Sequence, residues 1–593
     1  MDLKVSEYIA EEMSKVTDAV FLLTGGGAMF LNDAFSWHEN LKPIFCHHEQ
    51  SCAMAAEAYA RSSGKIGFVN VTTGPGVINA LNGVFGAFTD SIPMIVISGQ
   101  VKTTTTLRSN GLLGKLRQLG DQEVDATGIV DGITKEAIYV SSPSEIPFVL
   151  KRAISECQSG RPGPVWIDVP IDIQSSEIDP ERFHSGVWDD TNTVLRDAAS
   201  KVRDKIEKSR RPLFLIGSGI YRDNSLQELE NLTAKLGVPI STAWTAIDAV
   251  DFEDALYAER SGVVGTRAGN IILQMSDLII VLGSRLPIRQ VSYNFENFGK
   301  NASIVYVDID EFELCKPMVE ADLMIQAKII DFLKELALAC EKLKLDTGSW
   351  LAKIKEVRDA FPLSDVELGQ GNSGDKLNPY HFLAELFESL NETDIVVAAD
   401  ASASVMAFQV AKPKKGQRIF TNAGSASMGY EFPAAIGAAV ANPELRVICL
   451  AGDGSSMLNI QELETIVRYN LNVKIFCLAN DGYLSIKQSQ DNFFGRRKGV
   501  NKESGLNFLD FQLVCESAGL KYSQVHSADG IPALQKLLSD SGPIFVEVIV
   551  DPGQGFAPKL GSRQLENGSI VSNSLEYMSP ELESQKINKF FEE

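Results

Sequence analysis

Along most of this chain, short runs of apolar residues end in Gly- or Pro-bearing turns. Stretches with apolar positions three and four apart follow them. Runs such as "AVFLLTGGG", "GFVNVTTGPG", "PMIVISGQ", "DLIIVLGSR", "RVICLAGDG" and "PIFVEVIVD" read as strands closing in turns. Strands apolar at every position and separated by helices belong to parallel sheets covered on both faces. Two stretches break the rhythm: Ser175 to Asn192, and Leu343 to Asn378, which starts helical and then passes through "ELGQGNSGDKLN". Read as linkers, they leave three α/β units, roughly 1–175, 193–342 and 378–551, and a tail, 552–593, with no strand pattern. The first and third units are alike in size and rhythm, which suggests a distant internal duplication. The expected fold is three parallel-sheet, Rossmann-like domains.

Composition narrows the function more than the fold. The 593 residues carry a net charge of −22, which opposes binding to nucleic acid or anionic lipid. Eight scattered cysteines without CxxC spacing, several inside apolar runs, read as buried free thiols of a reducing compartment. The first residues, "MDLKVSEYIAEEMSKV", read as a charged amphipathic helix, not a signal peptide. No apolar run reaches the roughly 18 residues of a membrane span. The expectation is a cytoplasmic protein.

The stretch with most chemistry is "RVICLAGDGSSMLNIQELETIVRYNLNVKIFCLANDGYLSI". A strand ends in Gly452-Asp453-Gly454, a helix follows, and a second strand ends at Asn480 and Gly482. In a right-handed βαβ unit both strands point the same way, so Asp453 and Asn480 meet at the edge where α/β sheets bind ligands. A carboxylate and an amide oxygen suit Mg²⁺, and the glycines and helix start suit a diphosphate. A second candidate is "FCHHEQSCAMAAEAYARSSGK", where His47, His48 and Glu49 open a small-residue helix. Metal ligation, acid–base catalysis and a polar helix start compete there. No histidine pairs with Cys or Asp at zinc spacing.

The GDG…Asn-x-Gly segment resembles the diphosphate-binding motif of thiamine diphosphate enzymes, except that Ala479 stands where the family usually has a first asparagine. The likeness extends over nearly the whole chain and is to acetolactate synthase and its relatives. "HHEQSCAMAAEAYARSSGKIGFVNVTTGPGVINALNGVFGAFTDSIPMIVISGQ" looks like that family's first domain, and "NAGSASMGYEFPAAIGAA" like the segment beneath the thiazolium. By resemblance, Asp453, Asn480 and the Gly482 carbonyl hold Mg²⁺, and Met428 props the cofactor in its bent form. Glu49 hydrogen-bonds the aminopyrimidine, promoting loss of the C2 proton. Thr73, Asn79, Ser402, Ser404, Ser427, Gly452, Gly454, Ser455, Tyr483 and Ile486 are the further implied cofactor contacts. Gly27, on the loop Gly26-Gly27-Ala28, lines the C2 side, and Gln122 contacts the intermediate or the acceptor. His47-His48 is not the family's decarboxylase histidine pair, which lies downstream, where this chain reads "RQLGDQEVDATG". The pair therefore reads as the setting of Glu49.

The resemblance further implies that the central unit binds FAD. Its contacts would be Arg161, Gly217, Ser218, Gly219, Trp244, Gly262, Gly283, Arg285, Arg289, Asp308 and Asp322. The family's "GMHG" histidine is here Val264. The implied activity is decarboxylation of pyruvate and transfer of its two-carbon unit to a ketone or 2-oxoacid. The active site lies between the first domain of one chain and the third of another, in a homodimer or homotetramer. The acceptor side departs from the family: Ser489 replaces a pocket tryptophan and Ile171 a lysine. The loop after "SGQ" is longer and basic, with Lys102, Arg108, Lys115 and Arg117. Those departures, and a tail like that of relatives making branched sugars, favour as alternative a nucleotide-linked 4-keto sugar acceptor, with Lys102, Arg108 and Ser489 as acceptor contacts. A plain 2-oxoacid decarboxylase and a non-catalytic cofactor-binding subunit are the other readings.

Overall fold

The computed structural model describes residues 3–178, 195–362, 376–527, 532–564 and 570–592. Most of the first predicted linker, and the "ELGQGNSG" part of the second, lie outside the described residues. Three six-stranded parallel sheets are present, one in each predicted unit.

The first sheet runs Lys42–Phe45, Ala19–Leu22, Gly67–Val71, Met94–Gln100, Pro164–Pro170, Glu136–Tyr139. The third runs Arg418–Phe420, Ile395–Ala398, Val447–Gly452, Val473–Ala479, Ile544–Ile549, Lys521–Val525. Counted within each domain, both orders are 2-1-3-4-6-5, as a duplication would leave them. The central sheet is different: Tyr257–Arg260, Ile240–Thr242, Pro212–Ile216, Leu278–Leu282, Ser303–Asp308, Leu323–Gln326. That order, 3-2-1-4-5-6, is the dinucleotide-binding one. Central strands such as Met94–Gln100 and Val447–Gly452 are buried nearly throughout, which is why they read as continuous apolar runs.

The first and third domains pack through equivalent helices, Glu49–Ser63 and Glu431–Ala441, each lying between the second and third strand of its domain. Small residues let them approach closely: a Cβ on Gly437 would lie 2.0 Å from the Ala55 carbonyl oxygen. A buried polar cluster seals the junction. Arg61 bonds both Glu57 and Asp90, the Tyr430 hydroxyl donates to Glu57, and the Gly424 amide donates to Asp90.

The helical start read in the second predicted linker is present as Gly348–Ala360, and what is corrected is its role, since it packs on the central domain: Trp350 is buried and its indole N–H donates to the Pro212 carbonyl. A second expectation is corrected as well. The tail has strands after all. Lys559–Leu560 pairs with Met578–Ser579, and Ser562–Gln564 with Ile570–Ser572. Strands of two or three residues carry too little alternation to be read. The tail straps the central domain: Arg267 donates to the Met578 carbonyl, and Leu575, Ile587 and Phe590 complete a core with Ile271, Ile272 and Trp350.

Candidate functional site

Each sheet has one place where successive connections leave in opposite directions. Ligands of open α/β sheets bind outside the carboxyl ends of the strands there. In the third domain that place lies between Ile395–Ala398 and Val447–Gly452. The loops leaving these strands bring together Ser402, Ser404 and the Gly452–Ser455 turn, and Asn480 and Gly482 close the site from the next strand over. Asp453 is buried. Its Oδ1 accepts from the Gly454 amide at 2.7 Å and its Oδ2 from the Gly482 amide at 3.0 Å. Burial pushes its pKa up to about 6 against those amides. Asn480 donates to the Ser402 hydroxyl at 3.2 Å, and its Oδ1 is buried with no hydrogen-bond partner among the described residues. A buried carboxylate beside an orphaned amide oxygen is a donor set suited to a hard cation. The Lys487 ammonium, buried and lowered in pKa by desolvation, donates to the Asn480 and Asp481 carbonyls and fixes the turn. Gly454 packs tightly on Tyr483, since a Cβ there would lie 2.3 Å from the ring. Ala401, just before Ser402, sits at φ 58°, ψ −120°, a strained conformation for a residue with a side chain. Met428 is half-buried on a loop with Ala426 at φ 52° and Gly429 at φ 80°. Ile486 is exposed on the helix Leu484–Phe494.

In the first domain the equivalent place lies between Ala19–Leu22 and Gly67–Val71. The Thr72 hydroxyl there accepts from the Gly27 amide at 3.1 Å. Glu49, the first residue of its helix, is buried, and its Oε2 accepts from Asn79 at 3.0 Å. Its Oε1 faces Gly76, whose missing Cβ would stand 3.4 Å away. Gln122 is exposed at φ 61°, its carbonyl folded against Gly74. Thr73 is buried and donates to Gln100, which donates to Asp168. The histidines are a helix start. His48 Nδ1 accepts from the Gln50 amide as N-cap, and His47 lies exposed 2.8 Å from Glu464. Ser427 joins the two domains by accepting from Asn82 at 2.8 Å.

The thiamine pyrophosphate enzyme N-terminal TPP binding domain family matches residues 3–129, the central domain family 199–336 and the C-terminal TPP binding domain family 400–548. The acetolactate synthase large subunit of Buchnera aphidicola is 31% identical over 569 residues, covering 93% of this chain and 94% of its own. The isozyme 2 large subunit of Escherichia coli is 30% identical over 536 residues, covering 90% and 93%. The chloroplastic acetolactate synthase of Arabidopsis thaliana is 30% identical over 571 residues, covering 93% and 82%. The chain belongs to the acetolactate synthase-like thiamine diphosphate enzymes.

In this acetolactate synthase-like enzyme the central domain's switch point lies between Pro212–Ile216 and Leu278–Leu282. There Gly217 and Gly219 meet Gly283 and Ser284 so closely that Cβ atoms would lie 2.5 to 2.8 Å from backbone. Arg285 lies beside this crevice, 3.6 Å from Asp90 of the first domain. Arg289 covers the Trp244 ring at 5.8 Å and lies 3.9 Å from Asp400. Gly262 takes φ 129° against the Arg289 carbonyl. Asp308, at the end of its strand, is pushed up to about 6 by burial. Other residues of the implied flavin set already have protein partners. Arg161 is held by Asp310 and Glu313, and Asp322 accepts from the Ile304 amide and the Ser303 hydroxyl. On the acceptor side Lys102 is exposed, while Arg108 bonds Asp125 and Thr127 over the Tyr139 ring. Ser489 is exposed, and its hydroxyl donates to the Ser485 carbonyl. Eight free thiols are present, and only Cys315 is exposed. No helix among the described residues is long and apolar enough to cross a membrane.

Sequence reasoning missed several groups bonded around the site: Lys487 and Asp168, Asn459, which donates to the Gly429 carbonyl, and Glu431, which accepts from the Ser455 hydroxyl. Their roles depend on which atoms they reach across the fold, which motif spacing does not carry. Asp168 gives a pH prediction. Burial raises its pKa to about 7 against hydrogen bonds from Ser98 and Gln100. The folded state therefore binds a proton that the unfolded state releases between the ordinary carboxyl range and pH 7. This term favours folding at the acidic end of that window and is lost as pH rises through it. Asp168→Asn, which cannot accept from both Ser98 and Gln100, should compare more favourably with the parent at pH 8 than at pH 5. Melting curves at both pH values check it, and a pH-independent difference would refute the assignment.

Proposed function

We propose that this enzyme binds thiamine diphosphate through Mg²⁺, decarboxylates pyruvate and transfers the two-carbon unit to a ketone or 2-oxoacid. The observation that carries the reading is the buried Asp453 beside the unpartnered Asn480 Oδ1, at the third domain's switch point, in a chain of this family. Asp453, Asn480 and the Gly482 carbonyl would hold the cation, which leaves coordination positions for diphosphate oxygens. Bound thiamine diphosphate supplies a nucleophilic carbon and an electron sink for decarboxylation. Glu49 would exchange a proton with the aminopyrimidine, its Oε2 fixed by Asn79 and its Oε1 lying against Gly76. Met428 and the Gly26–Ala28 turn supply apolar and backbone walls. The relatives' name, acetolactate synthase, supports pyruvate as donor.

FAD is the further cofactor of this reading. The dinucleotide-type strand order and the glycine crevice at its switch point support it, with Arg285, Arg289 and Asp308 at hand. A second chain completes the reading. Ile78, Phe85 and Phe88 form an exposed stripe along the helix Pro75–Thr89, which suits a copy of this chain as partner.

A second acceptor reading, a nucleotide-linked 4-keto sugar, is favoured by the loop after Gln100. Buried Glu123 accepts the Leu107, Leu119 and Gly120 amides and fixes this loop, so that Lys102, Lys115 and Arg117 all project to solvent. Purified protein with thiamine diphosphate, Mg²⁺ and pyruvate should consume pyruvate. Mass spectrometry with pyruvate, 2-oxobutyrate and a 4-keto-sugar nucleotide as acceptors identifies the product. Absence of turnover with every donor and acceptor, despite bound cofactor, would leave the non-catalytic reading standing. An absorbance spectrum of the pure protein decides the flavin.

A further inference from the structure

Glu431 is the first residue of the helix Glu431–Ala441. Its place in the third domain is that of Glu49 in the first: each opens the helix between the second and third strands of its sheet, and the two helices pack on one another. Glu431 is fully buried. One carboxyl oxygen accepts from the Ser455 hydroxyl at 2.8 Å, and the other lies 3.5 Å from the Ser456 hydroxyl. Both serines directly follow the Gly452–Gly454 turn. The Ser455 oxygen in turn accepts from the Gly429 amide at 2.8 Å, one residue past Met428. The Gly429 carbonyl is held by Asn459 at 2.7 Å, and Asn459 accepts from Ser51 on the Glu49 helix at 3.1 Å.

No basic side chain pairs with Glu431 among the described residues. The titratable groups around it are Asp400, Cys449 and Cys477, all acidic. Burial raises its pKa to about 7. A fully buried carboxyl without a cation is costly, and an apolar side chain of similar size would be cheaper if packing were the whole role.

We propose that Glu431 is a positioning residue of the active site. It fixes Ser455, and through Ser455 the Gly429 amide, so that the Met428 loop and the diphosphate turn are held as one unit. The inference deepens the thiamine diphosphate reading above and rests on it for the cofactor. The hydrogen-bonded link itself does not depend on that reading.

The test uses the full-length protein with Glu431→Ala and Glu431→Gln. Hydrogen–deuterium exchange of the peptide carrying Gly429, measured without cofactor, should be faster in Glu431→Ala than in the parent. The Kd for thiamine diphosphate with Mg²⁺ should rise about fivefold or more, the loss of roughly one supporting hydrogen bond. The KM for pyruvate at saturating cofactor should hold. Glu431→Gln keeps an acceptor for Ser455 and should recover most of the affinity and protection. A folded Glu431→Ala protein with parental exchange at Gly429 overturns the proposal, as does a parental Kd. Should that variant not fold, Glu431→Ser, too short to reach Ser455, is read in the same way. Faster exchange in a protein that binds no thiamine diphosphate in any form would uphold the link and refute the cofactor reading.

Discussion

Glu49→Gln is expected to lower turnover by ~10²-fold or more while the protein still binds its cofactor. The glutamine keeps the size of the side chain and an oxygen for Asn79, which holds Glu49 Oε2 at 3.0 Å. It loses only the ability to carry a proton. His47 and His48 offer no substitute: His48 Nδ1 is occupied by the Gln50 amide, and His47 points to Glu464 at the surface. The loss should therefore fall on kcat, with the cofactor's Kd little changed. Steady-state rates at saturating thiamine diphosphate, with calorimetric titration of the same preparation, separate the two. Undiminished turnover in Glu49→Gln would remove Glu49 from the mechanism.

Asp453→Ala should act on binding instead. On the proposed reading, removing the buried carboxylate would take away the charged protein ligand of the cation through which the diphosphate is held, a loss of ~3 kcal/mol or about 10²-fold in affinity. Asn480→Ala should follow in the same direction. Asp481 is the internal control: it is exposed, its side chain is bonded to Asn501, and Asp481→Asn, which suits its φ of 59°, should bind the cofactor as the parent does. Titration of thiamine diphosphate at fixed Mg²⁺ measures all three. Equal weakening by Asp453→Ala and Asp481→Asn would point to damage of the turn, not loss of a ligand.

Much of this architecture is written in the chain because parallel sheets bury their central strands on both faces. "RVICLAGDG" and "PMIVISGQ" had to be strands, and the turn that closes the first had to stand at the ligand edge. Several edge strands were not legible for the same reason inverted. Glu136–Tyr139 is half-buried throughout, and Lys521–Val525 shows one fully buried position, so neither forms an apolar run. The site divides in a similar way. Asp453 and Asn480 announce themselves by motif and spacing. The atoms that hold their surroundings, Lys487 on two carbonyls and Asp168 behind Gln100 and Thr73, come from positions with no local signature. Glu431 is intermediate. Its equivalence to Glu49 is invisible in residue identities around it and plain once strand orders are compared.

The strap formed by the tail has a consequence for how the protein is made. One face of the central domain, with Ile271, Ile272 and Trp350, finds its last partners in Leu575, Ile587 and Phe590. Those residues leave the ribosome after the entire third domain has been synthesised. The central domain thus cannot finish folding in the order in which it is translated, and its uncovered apolar face is a natural client surface for chaperones until synthesis is nearly done.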